Sequence, residues 1–153
     1  STDSDEVIYL SSQHESLFIS AWNMFKQNPI IGVGPNGFRK LCGLEGIKVN
    51  DLSCSTHPHS TYIQLMAETG LVGSIFYLII VFYLVKILSI QLFTLILNKE
   101  KKPLSEYQVC LIGCFILSIF PFLPSQNFFN NWINIIYFIP IGFLLFSIRN
   151  LKK

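Results

Sequence analysis

The chain has 153 residues, of which 51% are hydrophobic and 13% are charged. Soluble domains carry about twice that charged fraction. Because the apolar residues concentrate after Gly70, the composition favours membrane spans over a large soluble core. The formal charge of +2 and the lack of a basic stripe interleaved with aromatic residues argue against a nucleic-acid partner. The chain starts without methionine or a signal-peptide pattern, so we expect it to be the C-terminal part of a longer protein.

Residues 1–70 are predicted to form a loop outside the spans, and residues 1–10 are acidic and irregular. Ser11 and Ser12 both offer an N-cap for a helix, and Glu15 stands three residues after Ser12, the spacing of a capping box. The helix is expected to end near Asn28, directly before a proline. Its apolar positions recur at helical spacing, which predicts an amphipathic helix that lies along the bilayer interface or packs on the spans. These positions are Leu17, Phe18, Ala21, Trp22 and Phe25.

A glycine-rich stretch follows at residues 29–40. Its three glycines allow positive φ angles and close approach of backbones. One interpretation is an anion site, in which backbone N–H groups act together with Arg39 and Lys40 to hold a phosphate. The other is a tight turn that redirects the chain. The stretch lacks the Lys-Ser/Thr of a Walker loop and has no parallel-strand unit around it, which excludes the usual nucleotide-binding motifs.

The four cysteines fall into two pairs. Cys42 and Cys54 would close a short polar loop. If that loop lies outside the cytoplasm we expect a disulfide, contributing about 3 kcal/mol in the loop-entropy model, and two free thiols are the alternative. Cys110 and Cys114 lie at helical spacing within an apolar run and have no polar companions, so we expect them to be small buried hydrophobic residues.

Three apolar runs after Gly70 are predicted to be transmembrane helices. Only Lys86 is charged in the first run, and its side chain is expected to reach the interface or to face the bundle. Pro121 and Pro124 end the second run. The predicted division is a transmembrane helix at 71–97, a cytoplasmic loop at 98–106, a transmembrane helix at 107–124, a short periplasmic turn at 125–132, a transmembrane helix at 133–148 and a cytoplasmic tail at 149–153.

The distribution of basic residues predicts the orientation of these spans. The loop at 99–102 carries three lysines, and the tail at 149–153 carries one arginine and two lysines. The turn at 125–132 carries neither lysine nor arginine. Because basic loops stay in the cytoplasm, residues 1–70 and the turn are expected on the other face of the membrane. In a bacterial cell that is the periplasmic face.

Two of the three histidines stand directly before the first apolar run. His57 and His59 flank a proline, so they do not share one helical face. A metal site would need further ligands, and His14, Asp51 and Glu68 have no recognised ligand spacing, so we predict none. An imidazole with an ordinary pKa near 6.5 is suited to taking a proton from a sugar hydroxyl. The alternative is a histidine that caps the following helix or bonds a carbonyl.

Two motifs carry a resemblance to a known family. Residues 28–38 read NPIIGVGPNGF and residues 59–73 read HSTYIQLMAETGLVG, after an amphipathic helix and before a span. Together they resemble the O-antigen ligase and O-antigen polymerase family, over residues 11–150. The resemblance implies an all-α, polytopic, GT-C-like membrane protein of the bacterial inner membrane, with its active loop on the periplasmic side.

The resemblance also implies an activity. Members transfer glycan from an undecaprenyl-pyrophosphate-linked donor to a sugar hydroxyl, without a metal or other cofactor. A ligase uses the lipid A-core as acceptor and a polymerase uses another lipid-linked repeat unit, so the expected partners are these glycans and membrane lipid, with no nucleic acid. The fragment alone is expected to be inactive, because the donor cavity needs further helices. The alternative function is a non-enzymatic membrane subunit, or a transporter fragment, whose outer loop binds a partner.

The family's motifs imply the site residues. The periplasmic histidine of its His-Asn/Ser-x-x-Leu motif corresponds to His59, with the role of orienting or deprotonating the acceptor hydroxyl. His14 stands where members carry an arginine that contacts the pyrophosphate, a departure that slightly favours polymerase over ligase. The expected substrate-binding residues are therefore His14 and His57, with Arg39 and Lys40 supplying positive charge.

Overall fold

The computed structural model describes residues 11–97, 103–118, 120 and 125–150. Residues 1–10, the lysines at 99–102 and the tail at 151–153, on which some of the predictions above fall, lie outside these ranges. All regular structure in the described part of the chain is helical, as predicted. The helices are α1 (Ser12–Gln27), α2 (Phe38–Leu41), α3 (Thr61–Ile96), α4 (Glu106–Ser118) and α5 (Asn131–Asn150).

Helix α1 starts one residue earlier than the capping box predicts. Its N-cap is Ser11, whose Oγ accepts from the backbone N–H of His14 at 3.5 Å. Of the two serines that offer an N-cap, the structure uses Ser11 rather than the capping-box position Ser12, and His14 takes the third helical position. The helix ends at Gln27, where predicted. The cap at Ser11 matters for the site, since it fixes His14 in the first turn of α1.

The buried face of α1 is made of small and aliphatic side chains rather than aromatic ones. Trp22 is 42% exposed and packs against Phe25, with 5.1 Å between ring centroids. Small residues on the inner face let the α1 backbone come close to α3. The buried residues are Ser16, Leu17, Ser20, Ala21 and Met24.

Helix α3 is bent sharply at Gly70, whose backbone angles are φ 63° and ψ −162°. The rings of Tyr62 and Tyr77 lie 5.8 Å apart. A straight helix would separate these two residues by about 22 Å, so the helix must fold back on itself between them. We call residues 61–69 the short arm of α3 and residues 71–96 the long arm. The short arm folds back beside the first turns of the long arm, and Gly70 forms the elbow.

The glycine-rich loop fills the gap that the elbow leaves in the helical hydrogen bonds. The backbone bonds across it run from Leu71 N to Pro29 O at 2.8 Å, from Val72 N to Ile30 O at 3.2 Å, from Val33 N to Ala67 O at 3.0 Å and from Gly34 N to Glu68 O at 2.9 Å. Gly32 and Gly70 both have positive φ angles, of 68° and 63°. A Cβ on either would collide with the backbone of the opposite segment. The turn and the elbow therefore require each other.

Helices α4 and α5 pack together beside the long arm. At one end of this bundle, Gln108 Nε2 donates to Ser147 Oγ at 3.2 Å and Leu104 N donates to Gln91 Oε1 at 3.0 Å. At the other end, residues 125–130 return to the short arm. The start of α4 therefore lies beside the ends of α3 and α5. The shared core contains Leu65, Tyr77, Leu84, Ile112, Phe115 and Leu144.

Two helices in the described ranges are long and apolar enough to cross a membrane: α3 and residues 131–148 of α5. Both leave most of their apolar side chains exposed, which is unlike the core helix of a soluble protein. Helix α4 is apolar but has 13 residues, or about 20 Å of helix. The span predicted at 107–124 includes residues 119 and 121–124, outside the described part, so three spans remain a prediction.

Two of the sequence predictions concern side chains on the outward faces of these helices. Cys110 and Cys114 are exposed on α4, so the prediction that they are buried is wrong. A free cysteine behaves as a small hydrophobic residue, so the lipid-facing side of a span can accommodate it. Lys86 is also exposed, so it does not face the bundle of described helices.

Candidate active site

The three histidines meet at the start of the short arm. The ring centroids of His57 and His59 are 4.1 Å apart, and those of His14 and His59 are 5.5 Å apart. His59 has a left-handed backbone with φ 55°, which is uncommon outside glycine. This conformation brings its ring beside that of His57, although the two do not share a helical face. His14 reaches them because its helix runs alongside the short arm.

His57 is held entirely by the protein. It is 5% exposed, and its Nε2 lies 3.1 Å from the carbonyl oxygen of Ser125. Since a carbonyl only accepts, Nε2 carries the hydrogen, and Nδ1 accepts from the hydroxyl of Thr56 at 2.9 Å. Burial lowers the pKa of His57 and the neighbouring His59 lowers it further, while the bond to Ser125 opposes them. His57 matches the alternative in which a histidine bonds a carbonyl.

His59 is the histidine whose ring is available for chemistry. It is half-buried, and its ring nitrogens make no hydrogen bond with any described residue. Its carbonyl accepts from Ser125 N at 3.0 Å, which fixes the backbone below the ring. Burial lowers the pKa of His59, and the positive charge that His14 carries when protonated lowers it further. Both causes favour the neutral ring, which is the form that a general base needs.

A buried carboxylate, Glu68, joins the short arm to the glycine-rich loop. It is 1% exposed. Its Oε1 accepts from Phe38 N at 2.8 Å and its Oε2 accepts from Gln64 Nε2 at 3.0 Å. Burial raises the pKa of Glu68, whereas these bonds, the backbone of Asn36 and the charge of Arg39 lower it. Each carboxylate oxygen has a donor, so the side chain fixes the start of α2 relative to α3.

Gln64 extends this network to the turn before α5. Its Nε2 also donates to Asn127 Oδ1 at 2.7 Å, and its Oε1 accepts from Phe128 N at 3.0 Å. Asn127 in turn donates to Asn36 Oδ1 at 3.3 Å. The network thus connects three segments that are far apart in sequence. The network holds the turn that contains Ser125. Ser125 in turn bonds the ring of His57 and the carbonyl of His59.

Arg39 and Lys40 lie on α2 with exposed side chains, and neither forms an ion pair with another described residue. The backbone N–H groups of the loop before them are already used: those of Val33 and Gly34 bond α3, and that of Phe38 bonds Glu68. The tight-turn interpretation therefore describes this stretch, and the two side chains provide its positive charge without a backbone cradle.

A disulfide joins Cys42 and Cys54, with 5.2 Å between their Cα atoms. Cys42 directly follows α2, which carries the two cations, and Cys54 lies in the loop that leads to His57 and His59. The cross-link therefore ties the cationic helix to the histidine loop. Among described side chains, the cations and the histidines are connected through this bridge and the Glu68 network rather than by direct contact.

No group of three His, Cys, Asp or Glu side chains in the described residues is arranged to hold a metal ion. Two of the side chains considered from the sequence have other partners. Asp51 accepts from Lys48 Nζ at 2.7 Å, and Glu68 belongs to the network above.

Residues 11–78 match the model of the family described as O-antigen ligase. The matched segment runs from the cap of α1 through the glycine-rich loop, the histidines and the elbow, into the long arm. Comparisons with curated proteins and with solved structures gave no match. The family match confirms the resemblance that the two motifs carry. With the exposed apolar helices, it indicates an integral membrane protein.

Proposed function

We propose, from the O-antigen ligase match of residues 11–78, that this chain is part of a glycosyltransferase that moves glycan from an undecaprenyl-pyrophosphate-linked donor to a sugar hydroxyl. The family supports glycosyl transfer of the ligase or polymerase type. The donor, the acceptor and the roles below are our proposal. The observation that carries it is the ring of His59, which makes no hydrogen bond to described residues and is held beside His14 and His57 by its own backbone.

His59 is the base in this proposal. The acceptor hydroxyl oxygen attacks the anomeric carbon, and its proton passes to a ring nitrogen of His59. The bond between the anomeric carbon and the pyrophosphate oxygen breaks, and the leaving pyrophosphate takes the electron pair. A lowered pKa supports this role, because the imidazole must be unprotonated before the attack.

Positive charge for the leaving group comes from Arg39 and Lys40, with His14 contributing when it is protonated. Their exposure supports this role, since cations that form no ion pair with a described residue are available to an anionic substrate. Fixed positive charge near the pyrophosphate would stabilise the charge that develops as the bond breaks. We assign His57 to positioning rather than to substrate binding, because both of its ring nitrogens are used within the protein.

The positions of the helix ends in the bundle support three spans with the site on the periplasmic face. Gln108 bonds Ser147 at one end of the bundle, and Ser125 bonds His59 at the other. Residues 108 and 125 therefore lie at opposite ends of the bundle, a length that α5 also covers. The histidines and the 125–130 turn lie at one end of the bundle. The end of α3 and the start of α4, which flank the basic loop, lie at the other end. Because basic loops stay in the cytoplasm, this arrangement supports a periplasmic site.

The acceptor is best identified in cells. Glycan gels of a strain lacking the gene would show lipid A-core with single repeats for a polymerase, or lipid-linked polymer that never reaches the core for a ligase. We favour polymerase slightly, because His14 replaces the family's arginine. A stable, membrane-inserted His59→Ala protein that restores the glycan pattern fully would contradict catalysis by His59.

A further inference from the structure

Two adjacent isoleucines project from the elbow. Ile30 is 66% exposed and Ile31 is 73% exposed, the highest values among large apolar side chains in residues 11–60. They do not lie on a loose loop. The carbonyl of Ile30 accepts from Val72 N, and Gly32, the next residue but one, packs against the backbone of Glu68 and Thr69. The fold therefore holds two large apolar side chains outward at a fixed place.

That place is level with the first residues of the long arm. The bond between Ile30 and Val72 puts the isoleucines beside the point where the apolar helix begins. The outward side chains there are apolar as well, so the isoleucines extend one continuous apolar surface. These side chains and their exposures are Leu71 at 45%, Val72 at 48%, Ile75 at 51% and Phe76 at 67%.

The surroundings of the pair match those of a membrane interface. Lys26 and Gln27, at the end of α1, are exposed on the polar side, and Trp22 is partly exposed one turn earlier. Basic and tryptophan side chains beside aliphatic ones are the usual composition at the level of lipid headgroups. Apolar side chains in water would gain free energy by entering the hydrocarbon that already surrounds the long arm.

We propose that Ile30 and Ile31 insert into the acyl chains of the leaflet that borders the start of the long arm. The partner is membrane lipid, because the isoleucines are continuous with the exposed apolar surface of the span. Insertion fixes the depth of the elbow, since the loop is bonded to both arms of α3. The insertion itself does not depend on glycosyl transfer.

The test is depth-sensitive fluorescence on the full-length protein in phosphatidylcholine vesicles. Cys110→Ala and Cys114→Ala remove the free thiols, and Ile31→Cys then carries an environment-sensitive NBD label. The matched control is Leu44→Cys, which is 51% exposed in the loop after α2. We expect emission at shorter wavelength at position 31, and quenching by nitroxide-labelled lipid about twofold or more stronger than at position 44. Aqueous iodide should quench the two positions in the opposite order.

Two results would overturn the proposal. Equal iodide quenching at positions 31 and 44 would put the isoleucines in water. A label at position 31 that neither nitroxide lipid nor iodide quenches would mean that protein covers the pair. The variant Ile30→Cys repeats the measurement one residue earlier, so failure of a single labelled protein to assemble does not decide the outcome. Because the readout is fluorescence, glycan transfer can fail independently.

Discussion

The two arms of α3 are stabilised in opposite ways. Every residue of the short arm, 61–69, is buried or half-buried among α1, the glycine-rich loop and the 125–130 turn. The long arm exposes large apolar side chains along its length, Phe76 and Phe82 at 67% each. Protein contacts thus fix the short arm, whereas hydrocarbon is the natural surrounding of the long arm. The loop that carries His57 and His59 leads directly into the arm that protein contacts fix.

The largest effect is expected from His59, two residues before the short arm. His59→Asn removes the proposed base but keeps a residue that tolerates the left-handed backbone. We expect the rate of glycan transfer to fall by about 10²- to 10⁴-fold, the usual contribution of a general base. Initial rates with the reconstituted full-length protein measure this. An unchanged rate would remove His59 from the chemistry and leave the comparison between the arms purely structural.

The elbow itself is tested by Gly70→Ala. The new Cβ would collide with the backbone of Ile30, and the φ of 63° is unfavourable for alanine. We expect a loss of more than about 2 kcal/mol of stability, measured as thermal unfolding in detergent. The matched control is Gly113→Ala on α4, where a Cβ meets nothing within 4 Å. If both variants were equally stable, the two arms would not depend on the close contact at Gly70.

Glu68→Gln tests the polar contacts that only the short arm has. The amide would keep the shape of the carboxylate but place an NH₂ group or a weaker acceptor against Phe38 N or Gln64 Nε2. We expect about 1–3 kcal/mol of destabilisation, the cost of a buried unpaired donor. Glu45→Gln, on an exposed residue, should change stability little. Equal effects of the two changes would mean that Glu68 does not organise the loop.

The smallest expected effect concerns the pH dependence of transfer. Burial and His14 lower the pKa of His59, so activity should persist below pH 6.5 and fall as pH drops through the lowered value. His14→Gln removes the lesser of the two causes. The acid limb of the variant's activity profile should therefore move to higher pH by less than about one unit. Burial still keeps the pKa of His59 below 6.5 in the variant. A limb that moves to lower pH would contradict the contact between the two rings.

Local patterns predicted much of this structure. The helical spacing of apolar residues predicts α1 and its end, and the long apolar run predicts the long arm. The histidine motif identifies His59 because it is a short contiguous signal. The sequence offered Ser11 and Ser12 as N-caps without deciding between them, because two adjacent serines suit the same position, and the structure uses Ser11.

The network around Glu68 could not be predicted from such patterns. Gln64 and Asn127 are 63 positions apart, and their bond depends on how the bundle returns to the short arm. The i,i+4 spacing of Gln64 and Glu68 within an apolar helix was the available signal, since two polar side chains on one buried face need partners. The elbow has a similar origin, because a glycine in an apolar helix does not by itself indicate a bend.

Chemical rescue tests the central claim most directly. His59→Gly removes the imidazole, fits the left-handed backbone and leaves space where the ring was. Our account predicts that the reconstituted variant loses glycan transfer and that added imidazole restores part of it, with the rescue increasing as pH rises and the free base accumulates. A correctly folded His59→Gly protein that transfers glycan at the wild-type rate without imidazole would contradict the account.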